Sequence, residues 1–130
     1  MHINTMAGSL EIVIVEVGAD YLVGTMPINS KSVQPFRNMH GGASAAMAET
    51  LGSVAAQMVV NPQNQRCVGL SLNVSHIRAV PEGHKVTGTA RPFHLGRSTH
   101  VWDIQIKDHR AKLVTVSRLT MSVLAIPSNA

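Results

Sequence analysis

Aromatic side chains are scarce, with two Phe, one Trp and one Tyr in 130 residues. Few rings are left on which bases could stack, which argues against a single-stranded nucleic-acid binder. The core must instead come from Val, Ile, Leu, Met and Ala. Cysteine is confined to Cys67, so no internal disulfide can form. Lying in the apolar run Cys67-Val68-Gly69-Leu70, it reads as a small buried hydrophobe in a reducing compartment rather than as a catalytic thiol. No apolar run is long enough to span a bilayer, and Met1-His2-Ile3-Asn4-Thr5-Met6 has neither a basic nor an apolar targeting region. The expected location is the cytoplasm, with no membrane partner. Runs of basic residues are missing as well. The formal net charge is +4, but Lys and Arg are scattered singly, a pattern that suits a small phosphorylated ligand better than a nucleic acid or a lipid surface. There is no Gly-rich loop followed by Lys and Ser/Thr, and no Gly-x-Ser-x-Gly elbow, which argues against an NTPase or an α/β-hydrolase. The histidines lack metal-ligand spacing: His94 and His100 flank a turn, His84 and His109 fall at strand ends, and no Cys or carboxylate cluster joins them. No metal is expected.

What remains is a chain that is 45% hydrophobic, enough for one domain spanning 1–130 with a core of its own. Leu10 to Val17, mostly β-branched, predicts a strand, and Gly18-Ala19-Asp20 turns it into a partner over Tyr21 to Ile28. Gly41 to Val60, rich in Ala, Met, Leu and Glu and stopped by Asn61-Pro62, predicts the one long helix. Strands follow over Cys67 to His76, His84 to Phe93, Thr99 to Asp108 and Lys112 to Leu124. The order ββαββββ is α+β. With almost no polar face, the helix is expected to be buried all round. A curved antiparallel sheet wrapped about it would cover only part of that surface, so a second copy of the chain is expected to cover the rest.

Glu49 stands in the middle of this apolar helix, where a carboxylate is costly unless paired, hydrogen-bonded or used in chemistry. Ser53, at i+4, shares its face. Either Glu49 acts on a substrate or it reaches solvent or a helix neighbour; spacing alone does not choose. His40-Gly41-Gly42 precedes the helix, whose first N–H groups lack intrahelical partners. Two glycines would let a ligand approach that backbone, and the free N–H groups at the positive end of the helix suit an oxyanion. The alternative is that the glycines only permit a tight entry into the helix.

The stretch from Gln34 to Ser53, QPFRNMHGGASAAMAETLGS, resembles the signature of hotdog-fold acyl-CoA thioesterases of the 4-hydroxybenzoyl-CoA and phenylacetate-degradation type: Gln, then His-Gly-Gly, then Ala-Glu, with Ser or Thr one turn later. Gly69 to Arg78 is similar to the family's third strand, and His94-Leu95-Gly96-Arg97-Ser98 to the turn with which it meets coenzyme A. Members that proofread aryl-carrier proteins or hydrolyse 1,4-dihydroxy-2-naphthoyl-CoA look most similar.

The resemblance implies hydrolysis of an aryl or medium-chain acyl thioester of coenzyme A or a carrier protein, with no cofactor besides the coenzyme A of the substrate. Glu49 would be nucleophile or general base, the Gly41 amide would hold the oxyanion, Gln34 and His40 would orient the thioester or water, and Ser53 would support the site. Gly42 and His76 would contact the substrate, while Gly96, Arg97 and Ser98 would contact the coenzyme A or phosphopantetheine arm. It also implies a homo-oligomer, a dimer or a homotetramer built as a dimer of dimers, with the site split between subunits. Some residues depart from the family pattern. Arg37 and Asn38 stand where relatives often carry a glycine and apolar residues, Glu11 replaces a common glycine, Ile77 replaces a second histidine, and only about nine residues precede the first strand where many relatives have a helix. A hotdog hydratase or dehydratase and a non-catalytic acyl-CoA-binding module are the alternative readings.

Overall fold

The computed structural model describes residues 4–127; the part of the N-terminal targeting argument that rests on residues 1–3 lies outside them. Its elements are α1 (Met6–Ser9), β1 (Val13–Val17), β2 (Leu22–Pro27), α2 (Gly41–Val59), β3 (Gln65–His76), β4 (Lys85–Leu95), β5 (Thr99–Lys107) and β6 (Leu113–Ala125). The six strands form one sheet in the order β1-β2-β4-β5-β6-β3, antiparallel throughout. Helix α2 lies on one face of it, in contact with β2 through β6. This is the α+β arrangement expected from the sequence.

Alternation along the strands explains which face is covered. Leu22, Met26, Val86, Ala90, Trp102, Ile104, Ile106, Leu119 and Met121 point inward and are fully buried, meeting Met47, Ala48, Leu51, Ala55 and Ala56 of the helix. The residues between them, such as Thr87, Arg91, Gln105 and Arg118, face outward. The lone Trp sits at the centre of an otherwise aliphatic core.

Two expectations are corrected. The chain opens with a short helix: the Thr5 side chain accepts from the Gly8 N–H, and α1 packs on α2. Residues 10–12, expected to start the first strand, form a turn in which Glu11 takes φ 60°, its N–H donating to Gly8 O and that of Ile12 to Ala7 O. Nor is α2 buried all round within one chain. Gly42, Glu49 and Met58 are exposed, and Ala45 and Ala46 only half-buried, because a single sheet can cover only one side of a cylinder.

The sheet ends in two edges, and they differ. β1 is five residues long. β3 runs for twelve and pairs only with β6 among the described residues, leaving a row of backbone donors and acceptors along its free side, the kind of edge that folded proteins ordinarily cover.

Candidate active site

The site begins at the N-terminus of α2. His40 takes the cap position in an extended conformation, and its Nδ1 accepts the Gly42 N–H at 2.7 Å, a role more often filled by Ser, Thr, Asp or Asn. Because Nδ1 is the acceptor, the proton of the neutral ring lies on Nε2, which is left as a donor. His40 O accepts from Ala43 at 2.9 Å and Ser44 at 3.3 Å. Of the first helical amides, only that of Gly41 has no acceptor among the described residues. The free N–H at this helix start is therefore that of Gly41, while the Gly42 amide is already committed to the imidazole.

His76 closes on the same point. A Cβ on Gly41 would lie 3.1 Å from both Cε1 and Nε2 of the His76 ring, so the ring approaches the amide only because residue 41 has no side chain. Ser44 Oγ donates to Gly41 O at 2.9 Å and lies 3.4 Å from His76 Nδ1, holding ring and helix start together. Opposite them, Gln34 Oε1 accepts the Phe36 N–H, which leaves the Gln34 amide hydrogens as donors. Gln34, Asn38, Met39, Gly41 and His76 line an open cleft of about 400 Å³ together with Thr115. Thr115 is 1% exposed and its Oγ1 has no hydrogen-bond partner among the described residues.

Glu49 is elsewhere. It projects from the exposed face of α2 into a second cleft of about 420 Å³ bordered by Met6, Gly42, Ala45, Ala46, Thr50 and Leu72. Its carboxylate rests over β3: a Cβ on Gly69 would come within 3.0 Å of Glu49 Oε2. Ser53 is half-buried one turn on, and among the described residues no hydrogen bond joins its hydroxyl to the carboxylate.

The Gly96-Arg97-Ser98 turn is closed by Gly96 N–H donating to Thr99 O at 2.8 Å, with Arg97 exposed and in no ion pair among the described residues. Thr99 pairs with Ser122 whereas His76 pairs with Thr115. Seven residues along β6 separate the two levels, roughly 24 Å of strand. Within one chain the predicted residues thus fall into two groups: Gln34, Gly41 and His76 around one cleft, with His40 capping the helix next to Gly41, and Gly42 and Glu49 around the other, with Gly69 beneath the carboxylate towards the end of the sheet where Gly96, Arg97 and Ser98 lie.

Sequence reasoning missed Gly69, Thr115 and Met39, whereas Asn38, singled out as a departure from the family pattern, does line the cleft. The glycine and the threonine carry no local mark, since their places come from contacts across strands; Met39 was passed over as a loop residue beside the His-Gly-Gly motif.

The thioesterase superfamily model matches residues 36–115. The 1,4-dihydroxy-2-naphthoyl-CoA hydrolase of Escherichia coli is 43% identical over 121 residues, covering 93% of this chain and 88% of that protein. The proofreading thioesterase EntH of Cronobacter sakazakii is 43% identical over 122 residues, covering 94% and 88%. Among solved structures, a thioesterase of Haemophilus influenzae superposes with a TM-score of 0.92 at 41% identity, covering 98% of this chain and 87% of that one.

Proposed function

Because this chain belongs to the thioesterase superfamily, we propose that it hydrolyses aryl or medium-chain acyl thioesters of coenzyme A or a carrier protein, at a site assembled from two copies of the chain. The observation that carries the split is a distance. Gly41 and Glu49 are eight residues apart on one helix, about 12 Å along its axis, and open into different clefts. Both cannot bear on one carbonyl carbon. A second copy paired antiparallel along the β3 edge supplies what is missing, since it sets the Gly69 half of one strand beside the His76 half of the other.

In this reading the thioester carbonyl oxygen points at the Gly41 N–H of one protomer, where charge that develops on it is stabilised by a donor already in place. The Gln34 amide and the His40 Nε2–H orient the thioester or the attacking water. Glu49 of the partner subunit either takes a proton from that water as it adds to the carbonyl, or adds itself and leaves an acyl anhydride for water to open. By the first route the C–S bond breaks as the tetrahedral intermediate collapses, and the proton held by Glu49 passes to the departing thiolate. By the second, the thiolate leaves as the anhydride forms and a proton is returned to it from solvent. The reaction needs no cofactor beyond the coenzyme A carried by the substrate. In the same reading Arg97, exposed beside Gly96 and Ser98, contacts the anionic arm of that substrate.

The cleft volume supports a small acyl group, lying within the roughly 300–1,000 Å³ common for small-molecule sites. The likeness to a 1,4-dihydroxy-2-naphthoyl-CoA hydrolase brings the aryl preference. Mixing tests the split directly. Glu49→Gln and Gln34→Ala proteins, each nearly inactive on benzoyl-CoA, recover about a quarter of wild-type thiol release after dissociation and random reassociation, since half the dimers then hold one intact site of two. Mixtures no more active than their components overturn the split site. Tight binding of benzoyl-CoA by wild type without thiol release overturns the hydrolase reading itself.

A further inference from the structure

The loop that carries Gln34 is closed by an isolated bridge between Val33 and Met39, by the Gln34 N–H donating to Asn38 O at 2.9 Å and by the Arg37 N–H donating to Gln34 O at 2.8 Å. Its turn requires a residue in the left-handed region, and that residue is Arg37, at φ 65°. Only glycine enters this region freely. What holds an arginine there comes from the segment between β3 and β4. The Glu82 N–H donates to Arg37 O at 2.9 Å, and the guanidinium donates in return to the Glu82 carboxylate, from Nε at 2.9 Å and from Nη2 at 2.8 Å. Beside them Asn38 bridges to Pro81. Glu82 follows Ile77, Arg78 and Ala79, which line the cleft across from Gln34.

We propose that Arg37 and Glu82 form a positioning clamp that fixes the Gln34 carboxamide in the cleft. The clamp rests on the role given to Gln34 above and acts through that residue. Gln34 Oε1 accepts from the N–H of Phe36, the residue before Arg37, so the turn held by the clamp also sets which face of the carboxamide reaches the substrate. The guanidinium uses its fork on a carboxylate, which gives it a directional hold. The Lys31–Glu11 pair, a single contact at 3.6 Å, has no such geometry. With its side chains 58% and 35% exposed, the clamp is open to screening by salt.

Arg37→Gly is the decisive variant, because it removes the guanidinium while suiting the left-handed backbone. The clamp predicts movements in opposite senses: the thermal midpoint holds or rises, while kcat on benzoyl-CoA falls roughly three- to tenfold, as expected for a reacting group displaced by a fraction of an ångström. KM changes less than kcat. Exchanging the charges, Arg37→Glu with Glu82→Arg, restores most of the kcat lost in either single variant. Gln34→Ala with Arg37→Gly is no slower than Gln34→Ala alone, since the clamp has nothing left to position. Wild-type kcat in Arg37→Gly beside an impaired Gln34→Ala overturns the clamp and leaves the site reading intact. A fall in midpoint that parallels the fall in kcat overturns it too, as a plain structural tie. Wild-type kcat in Gln34→Ala removes the role of Gln34, and the clamp with it.

Discussion

Gly69→Ala probes the position of Glu49 without touching Glu49. A Cβ at residue 69 would stand 3.0 Å from Glu49 Oε2, where ordinary contact begins at about 3.4 Å, and Leu119 Cδ1, its other side-chain neighbour, is 4.0 Å away. The carboxylate is the far end of a flexible side chain on an exposed face, so it yields by about 0.4 Å and the strand does not. Misplacing a reacting group by about 1 Å can cost on the order of 10²-fold; on a logarithmic scale 0.4 Å corresponds to roughly sixfold in kcat. Stability moves the other way. Residue 69 is not in the left-handed region, and alanine there restricts the unfolded chain, a gain of about 0.4–1 kcal/mol where the backbone is compatible. Thiol release from benzoyl-CoA, followed with a thiol reagent beside a thermal melt, should show kcat down severalfold, KM little changed and the midpoint equal or higher. Full wild-type kcat would refute the reasoning, since the carboxylate would then not act from its place over β3.

Glu49→Gln should lower kcat by roughly 10²–10⁴-fold, the usual worth of a positioned general base, and by more if the carboxylate is the nucleophile; its melting curve should stay close to wild type because the side chain is exposed within the chain. Thr115→Val should raise the thermal midpoint, because it replaces a buried hydroxyl without a partner among the described residues by a methyl of similar shape, and leaving such a group unsatisfied costs about 1–3 kcal/mol; a lower midpoint would show that the hydroxyl is bonded in solution. Arg97→Ala should raise KM for coenzyme A thioesters while sparing kcat, with a smaller effect on pantetheine thioesters, the signature of uniform binding to a remote phosphate; equal losses on both substrates would assign Arg97 to the turn instead. Burial, and then His94, pushes the His100 imidazole below its ordinary 6.5, and Trp102 Nε1–H donates to its Nδ1 at 3.3 Å. Folding thus favours the neutral ring, so its contribution is fully present above pH 6.5 and declines on acidification towards the folded value, where the unfolded chain binds the extra proton. His100→Gln should flatten that part of the midpoint-against-pH curve, and an unchanged slope would place the dependence elsewhere.

Where signals are local, sequence and structure agree. Helix α2 begins at Gly41 and ends at Val59, one residue short of expectation, because His40-Gly41-Gly42 and Asn61-Pro62 punctuate it whatever surrounds it. The strands after it agree within two residues at each end, their alternation being read from neighbours two apart. The first strand was placed three residues early: Leu10 and Ile12 are apolar enough for a strand, but their N–H groups donate to Met6 O and Ala7 O of α1, which folds them into a turn behind it. The apolar composition of α2 misled for a related reason. Composition counts side chains without saying what lies opposite them, and the face bearing Gly42, Ala45, Ala46 and Glu49 is left partly open by the sheet, with Glu49 reaching over the β3 edge at Gly69. Sheet order has no local code, and neither does the seat of Glu49 on Gly69, twenty residues away.

Three features of the lone chain are costly separately and consistent together. Among the described residues, one edge of a twelve-residue strand is unpaired, a helix face of small residues around a carboxylate is open, and a helix-terminal amide has no acceptor. Under the proposed reading one operation answers all of them. Antiparallel self-pairing of β3 gives its free backbone groups partners and lays the second copy against the Gly42, Ala45 and Ala46 face, where the absence of bulk lets a backbone come close. The same operation carries each Glu49 towards the other copy's Gly41 cleft, where the free amide awaits an acyl oxygen. A two-fold axis does this twice, giving two equivalent sites per dimer. Assembly and activity are then one property: any change that opens the β3 edge removes both sites at once, and no protomer can be active alone.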